Sequence, residues 1–268
     1  MIDLPQYRLV WNEEFDGNTI DRDRWSYISC QSSGPDQAFC DDRIEAKDGC
    51  AVLSVTYDPA DTEKPYRCPW SLVTADSMNF RYGYVEVRAK MPYLGKGEWP
   101  AIWYLPNLAH LNREVKARVS PDANVEIDQF ESFSSLGDAM PQLHFWFSDL
   151  EKRRVNILSD PERVFHFPDA ETANDFHLYG MLWTEDTLSF YMDDVCHYTY
   201  TVPQEDRELM SAYQAFILSL QYFSPAYVAK GWGTEGTFFK ENPDGKLSMA
   251  VDYVRLYQNP ETDSIVTK

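Results

Sequence analysis

Three acids within six residues, Glu126, Asp128 and Glu131, make Asn124-Val-Glu-Ile-Asp-Gln-Phe-Glu131 the stretch best equipped for chemistry. Val125, Ile127 and Phe130 are interleaved with them. A regular strand sends alternate side chains to opposite faces. Glu126 and Asp128 would then share a face with Phe130, and Glu131 would lie behind with Ile127. One extra residue near Gln129-Phe130, a β-bulge, sorts the pattern: Val125, Ile127 and Phe130 turn to a core and the three acids share the other face. That reading leaves no acid in the core and is preferred. Held over a sugar ring, one such carboxylate can attack an anomeric carbon while another protonates the departing oxygen. The plain alternative is a solvated strand face in an acidic chain, with 43 Asp and Glu among 268 residues.

The neighbouring elements must aim these groups. Glu98-Trp-Pro-Ala-Ile-Trp-Tyr-Leu105 reads as a strand with Trp99, Ala101 and Trp103 on one face. Two indoles flanking a small residue make a trough roughly 13 Å long at about 3.3 Å per residue, enough for two or three sugar units; both could equally be core. Consecutive strands are often neighbours, which sets this one beside the acids. Gln142-Leu-His-Phe-Trp-Phe147 is a third strand, with His144 and Trp146 on one face and Leu143, Phe145 and Phe147 on the other. Beside the acids, His144 serves as a hydrogen-bond partner or sugar contact; elsewhere it would be structural. Asn107 to Ser120 carries His110, Arg113, Lys116 and Arg118 at amphipathic-helix spacing. It reads as a solvated insertion, or as a basic rim able to touch an anionic substrate, and Glu151-Lys-Arg-Arg154 poses the same question.

Elsewhere the punctuation is that of an all-β chain. Tyr82 to Met91 alternates, with Val85, Val87, Ala89 and Met91 opposite Tyr84, Glu86, Arg88 and Lys90, as in a half-buried strand. Asp48-Gly49 and Asp193-Asp194 are turn signals between strands. His177 reads as packing. Some dozen short strands, with scarcely any long helical period, point to a β-sandwich or jelly roll. No linker or repeat is apparent. One domain spans 1–258, and a polar tail, 259–268, should fray.

Composition narrows the function. Lys+Arg 24 against Asp+Glu 43 gives −19, and no basic stripe is present to track phosphates, so nucleic acid is not an expected partner. The same charge disfavours polyanionic ligands, because like charges slow encounter. With 17 Tyr and 8 Trp, aromatics exceed what packing usually needs, as suits a carbohydrate binder. No run approaches the roughly 18 apolar residues of a membrane span. The N-terminus, Met-Ile-Asp-Leu-Pro-Gln, lacks the charged-then-apolar form of a signal peptide. Cys30, Cys40, Cys50, Cys68 and Cys196 are spaced too widely for a CxxC zinc site; one or two disulfides, or reduced buried thiols, fit the pattern equally.

Six segments in order now carry a resemblance: Val10-Trp-Asn-Glu-Glu-Phe-Asp16, Tyr82 to Lys90, Gly97-Glu-Trp-Pro-Ala-Ile-Trp103, Glu126-Ile-Asp-Gln-Phe-Glu131, Asp175-Phe-His-Leu-Tyr179 and Val251-Asp-Tyr-Val-Arg-Leu-Tyr257. Over about residues 9–258 the chain resembles glycoside hydrolase family 16, the endo-glycanases that include laminarinases, lichenases, agarases and carrageenases. The resemblance implies a concanavalin-like jelly roll of two antiparallel sheets with a concave substrate cleft. It also implies a retaining mechanism, with Glu126 as nucleophile, Glu131 as general acid/base and Asp128 assisting. The ExDxxE spacing resembles the laminarinase, agarase and carrageenase branch. Trp99, Trp103 and His144 match substrate-cleft positions, and Trp146 joins them by alternation. No cofactor is expected for catalysis. A structural calcium is implied near Asp252, with backbone oxygens near Glu14 and Gly49.

The expected substrate is a β-1,3- or mixed-linkage glucan polysaccharide. The alternatives are an agar, porphyran or carrageenan galactan, or a non-catalytic carbohydrate-binding protein on the same fold. A monomer acting in an extracellular or periplasmic space, its signal absent from this chain, is expected. Ser219-Leu-Gln-Tyr-Phe-Ser224 departs from the usual laminarinase Asn-Leu-Ala-Val-Gly-Gly, which marks an altered subsite loop.

Overall fold

The computed structural model describes residues 3–29, 34–92, 95–106, 124–132, 139–146, 151, 153–167, 174–231 and 233–267. Cys30, Phe147 and the Asn107–Ser120 insertion lie outside the described residues. Two antiparallel-dominated sheets face one another. The six-stranded sheet runs, edge to edge, Ala139–Trp146, Asn124–Ser132, Glu98–Leu105, Ala215–Tyr222, Ser71–Val73 and Ser26–Ile28. The ten-stranded sheet centres on Phe176–Trp183, Gly83–Lys90, Lys246–Gln258 and Cys50–Tyr57.

Alternation builds the space between them. Ile102, Tyr104, Val125, Ile127, Phe130 and Leu218 from the smaller sheet meet Leu53, Val55, Val85, Val87, Met181 and Leu256 from the larger in one continuous apolar cluster. The acids and indoles of the smaller sheet therefore point away from that core, as the alternation requires. On Gly83–Lys90 the inward set is as expected, but Tyr84 and Glu86 on the outer face are buried too. Tyr253 explains this: its hydroxyl donates to Glu86 Oε1 at 2.9 Å, roofing the carboxylate.

Both turn signals are hairpins. Asp48 and Gly49 take φ of 54° and 73°, and Asp193 and Asp194 take 49° and 66°, the left-handed pair that a two-residue turn needs to match strand twist. The tail does not fray as expected. Thr262 and Asp263 donate backbone N–H groups to Asn259 O, turning the chain back. Ser264–Thr267 then pairs with Met78–Arg81, and the Gln258 amide ties the join to Tyr82 O at 2.8 Å and Ser264 O at 2.9 Å. Ile265 and Val266 add apolar packing to the join. Cys40, Cys50, Cys68 and Cys196 are free thiols. Among the described residues no helix is long and apolar enough to cross a membrane.

Candidate active site

The acidic strand Asn124–Ser132 lies between the indole strand Glu98–Leu105 and the histidine strand Ala139–Trp146. Its register slips against both. Asp128 pairs with Gln142 but Glu131 with Met140, and on the other side Trp103 pairs with Asp128 but Ile102 with Phe130. Each slip amounts to one extra residue, the expected bulge. Gln129 is that residue, and it turns inward with Phe130. Its amide donates to Tyr179 O at 2.8 Å and its oxygen accepts from the Tyr104 hydroxyl, so this buried polar group is satisfied.

Glu126, Asp128 and Glu131 consequently share the outer face, each held by a different group. Trp99 Nε1–H donates to Glu131 Oε1 at 2.9 Å, and Trp146 Nε1–H donates to Glu126 Oε2 at 2.6 Å. His144 Nε2 stands 3.3 Å from Asp128 Oδ2, although that oxygen lacks a well-aligned donor. Catalytic hydrogen bonds often tighten only with substrate bound. Glu126, Glu131, Trp99, His144 and Trp146 line a cleft cavity of about 530 Å³ together with Gln142, Asn156 and Arg163.

Burial dominates the electrostatics. Asp128 is 2% exposed and Glu131 7%. Burial, then the charge of Asp128, pushes Glu131 well above the ordinary carboxyl range, against the Trp99 hydrogen bond. Burial and the Glu126 charge do the same to Asp128. Glu126 is raised by burial but opposed by His144 and by the Trp146 N–H. His144 and the Trp146 N–H thus favour the ionised form of Glu126, whereas the Asp128 charge favours the protonated form of Glu131. Removing the Trp99 donor should accentuate this. In Trp99→Phe the alkaline limb of the pH–activity profile is expected to move to higher pH; a move to lower pH would show that the indole does not stabilise the ionised Glu131.

Trp99 is itself braced by Phe223, stacked at 5.1 Å and 19°, and by Tyr227 edge-on at 6.0 Å. Phe223 belongs to the segment that departs from the laminarinase pattern. Trp103 does not join the cavity. It is 5% exposed and packs with Ala101, Ile217, Val73 and Val266, its N–H on Ser219 Oγ at 3.0 Å. Its strand partner there is Ile217, and of the two indoles only Trp99 lines the described cavity. Sequence reasoning missed Gln142, Asn156 and Arg163. Arg153, from the basic run, stands 4.8 Å from the Trp146 ring.

Two groups of side chains bear on metal binding. Glu126, Asp128 and His144 bring one ligand atom each within 4.8 Å of one another. However, Asn156 N–H donates to His144 Nδ1 at 3.1 Å. The neutral ring then carries its proton on Nε2, the nitrogen a metal at the acids would need bare. Asp252 is the bulged residue between Val251 and Tyr253. The Arg88 guanidinium sits on its Oδ2, and Arg255 takes both oxygens of Glu14. A calcium held by Asp252 and backbone oxygens near Glu14 and Gly49 would therefore share the Asp252 carboxylate with the Arg88 guanidinium.

Glu98, at the entry to the indole strand, adds a buried acid outside the cavity. It accepts from the backbone N–H of Gly95 and Lys96 at 2.7 Å each, yet burial pushes its pKa up to about 7. A folded-state pKa above the unfolded value gives stability that is complete at low pH and lost as pH rises through the folded value. The three cleft acids act in the same direction. Surface acids Glu14 and Glu45, lowered by hydrogen bonds from Arg255 and Lys246, lose stability only as pH falls below the ordinary range. The melting temperature is therefore expected to peak near about pH 5 and decline toward pH 8. Glu98 alone costs on the order of 3 kcal/mol there, at about 1.4 kcal/mol per pKa unit. Melts from pH 4 to 8 check this, and Glu98→Gln should flatten the alkaline decline; a midpoint that climbs steadily to pH 8 contradicts it.

Comparison with known proteins agrees with this geometry. The profile of Glycosyl hydrolases family 16 matches residues 66–254. The chain is 27% identical over 277 residues to "Glucan endo-1,3-beta-glucosidase A1" of Niallia circulans, covering 93% of this chain but 38% of that protein. It is 29% identical over 266 residues to "Beta-glucanase" of Rhodothermus marinus, covering 95% and 86% respectively. The fold matches the laminarinase structure from Flavobacterium sp. UMI-01 with a TM-score of 0.68, at 22% identity over 94% of this chain and 100% of that one. With the profile spanning most of the chain over a bulged acidic strand, the protein belongs to glycosyl hydrolases family 16.

Proposed function

We infer that this chain is a retaining endo-β-glycanase that hydrolyses internal β-1,3- or mixed β-1,3/1,4-bonds of a glucan. The observation that carries the reading is the pairing of each glutamate with its own indole N–H in one cleft, Glu126 with Trp146 and Glu131 with Trp99. The glucanase names of the two relatives support the substrate class. In this mechanism Glu126 attacks the anomeric carbon while Glu131 gives its proton to the leaving oxygen. Deglycosylation reverses the roles: Glu131, now a carboxylate, takes a proton from water, which attacks and releases Glu126. Asp128 supplies the charge that helps Glu131 keep its proton. We propose further that the protein acts as a monomer on polysaccharide outside the cytoplasm.

Incubation with laminarin, barley β-glucan, agarose, porphyran and carrageenan, followed by product sizing, tests the proposal. A ladder of oligosaccharides from laminarin and barley glucan is expected, with the new reducing ends first appearing as the β-anomer. Cleavage of the galactans alone would reassign the substrate, and glucan binding without cleavage would make the protein a lectin-like binder.

A further inference from the structure

The segment beyond the histidine strand carries a second bulge. Phe145 and Arg154 exchange backbone hydrogen bonds of 2.6 and 3.0 Å, and Ile157 N–H donates to Leu143 O at 3.0 Å. Two steps along the histidine strand are thus matched by three along 154–157. Asn156 lies within the extra step, at φ 53°. Left-handed backbone is costly for most side chains and most tolerable for Gly, Asn and Asp. Its effect here is specific: the Asn156 N–H reaches the His144 imidazole, donating to Nδ1 at 3.1 Å. Bulges beside active sites commonly re-aim a group in this way.

We propose that Asn156 is a positioning residue, whose left-handed backbone fixes the His144 tautomer so that Nε2–H faces the catalytic acids. The proposal rests on the reading of Glu126, Asp128 and Glu131 given above. Its physical content is the sign of one atom. With the ring proton on Nε2, a donor lies 3.3 Å from Asp128 Oδ2, and part of the pair's negative charge is offset. With the proton on Nδ1, a lone pair would face the carboxylates. Asp128 and Glu126 would then compete for a proton, and a protonated Glu126 cannot attack. The imidazole is also stacked on Trp146 at 5.5 Å and 18°, which fixes the ring plane but not the ring proton. The Asn156 N–H is the one contact to Nδ1 among the described residues.

Long-range ¹H–¹⁵N spectra of the imidazoles, with five histidines to assign, test this directly. The expected result is an Nε2–H tautomer for His144 in the native protein and in Asn156→Gly, which keeps the N–H and tolerates the backbone angle. In Asn156→Val a β-branched residue resists positive φ, and the Nε2–H signature should weaken. Hydrolysis of laminarin should fall by about ten- to a hundredfold, the scale seen when the group orienting a metal-bound histidine is removed, with the acid limb of the pH profile displaced. An Nδ1–H tautomer in the native protein overturns the proposal, whether or not the valine variant folds. So does a folded valine variant that keeps both the native spectrum and the native pH profile. Should Glu126→Gln hydrolyse normally while the spectra come out as expected, the catalytic reading fails and the assignment of the imidazole stands.

Discussion

Glu126→Gln is expected to bind laminarin oligosaccharides about as well as the native protein and to hydrolyse them on the order of 10⁴-fold more slowly or worse, the scale seen when a nucleophile is removed. The amide is nearly isosteric, and its oxygen can still accept the Trp146 N–H that now meets Glu126 Oε2 at 2.6 Å. What it loses is the anion. An amide oxygen is a poor nucleophile, and burial with the Glu126 charge pushes the neighbouring Asp128 well above its ordinary range. Removing Glu126 leaves Asp128 without that neighbouring charge but still buried. Affinity electrophoresis in laminarin gives the binding and reducing-sugar release gives the rate. Turnover within tenfold of native would remove Glu126 from the mechanism.

Glu131→Ala should separate the two halves of the reaction. On polysaccharide, whose leaving group needs a proton, the rate is expected to fall by about 10²- to 10⁴-fold, the usual worth of a general acid or base. An aryl β-oligoglucoside with a good leaving group needs no proton, so Glu126 can still be glycosylated. Release then stalls for want of a base to activate water. Azide requires no base, and truncation at position 131 opens room beside Trp99 for it. Added azide should therefore raise turnover of this variant by tenfold or more and give a β-glycosyl azide, while leaving Glu126→Gln inert. Rescue of the Glu126 variant instead would exchange the two roles.

The fold and the acids were legible because they depend on neighbours in sequence. Val125, Ile127 and Phe130 could face one core only if a residue were inserted between Asp128 and Glu131, and the paired slips in register are that insertion. The two hairpins were legible for the same reason, each resting on residues suited to positive φ. Contacts made across distance in the chain were not. Nothing near Asn156 in sequence says that its N–H meets the ring of His144. Alternation sets Trp146 on the cleft face, where it lines the cavity, but does not give the partner of its N–H. The same pattern left Trp103 open between trough and core, and its packing with Val73 and Ile217 depends on residues far away in the chain. Asp252 invited a cation, and Arg88, from a neighbouring strand, supplies one.

Gln129 links the two sheets. Its amide reaches across the hydrocarbon layer to a main-chain oxygen of the opposite sheet while its oxygen takes the Tyr104 hydroxyl. The kink that spreads the acids is thereby pegged to the far wall of the sandwich. Slippage between the two walls would tug first at the gap separating Asp128 from Glu131. Gentle warming should accordingly blunt hydrolysis several degrees before the sheets come apart.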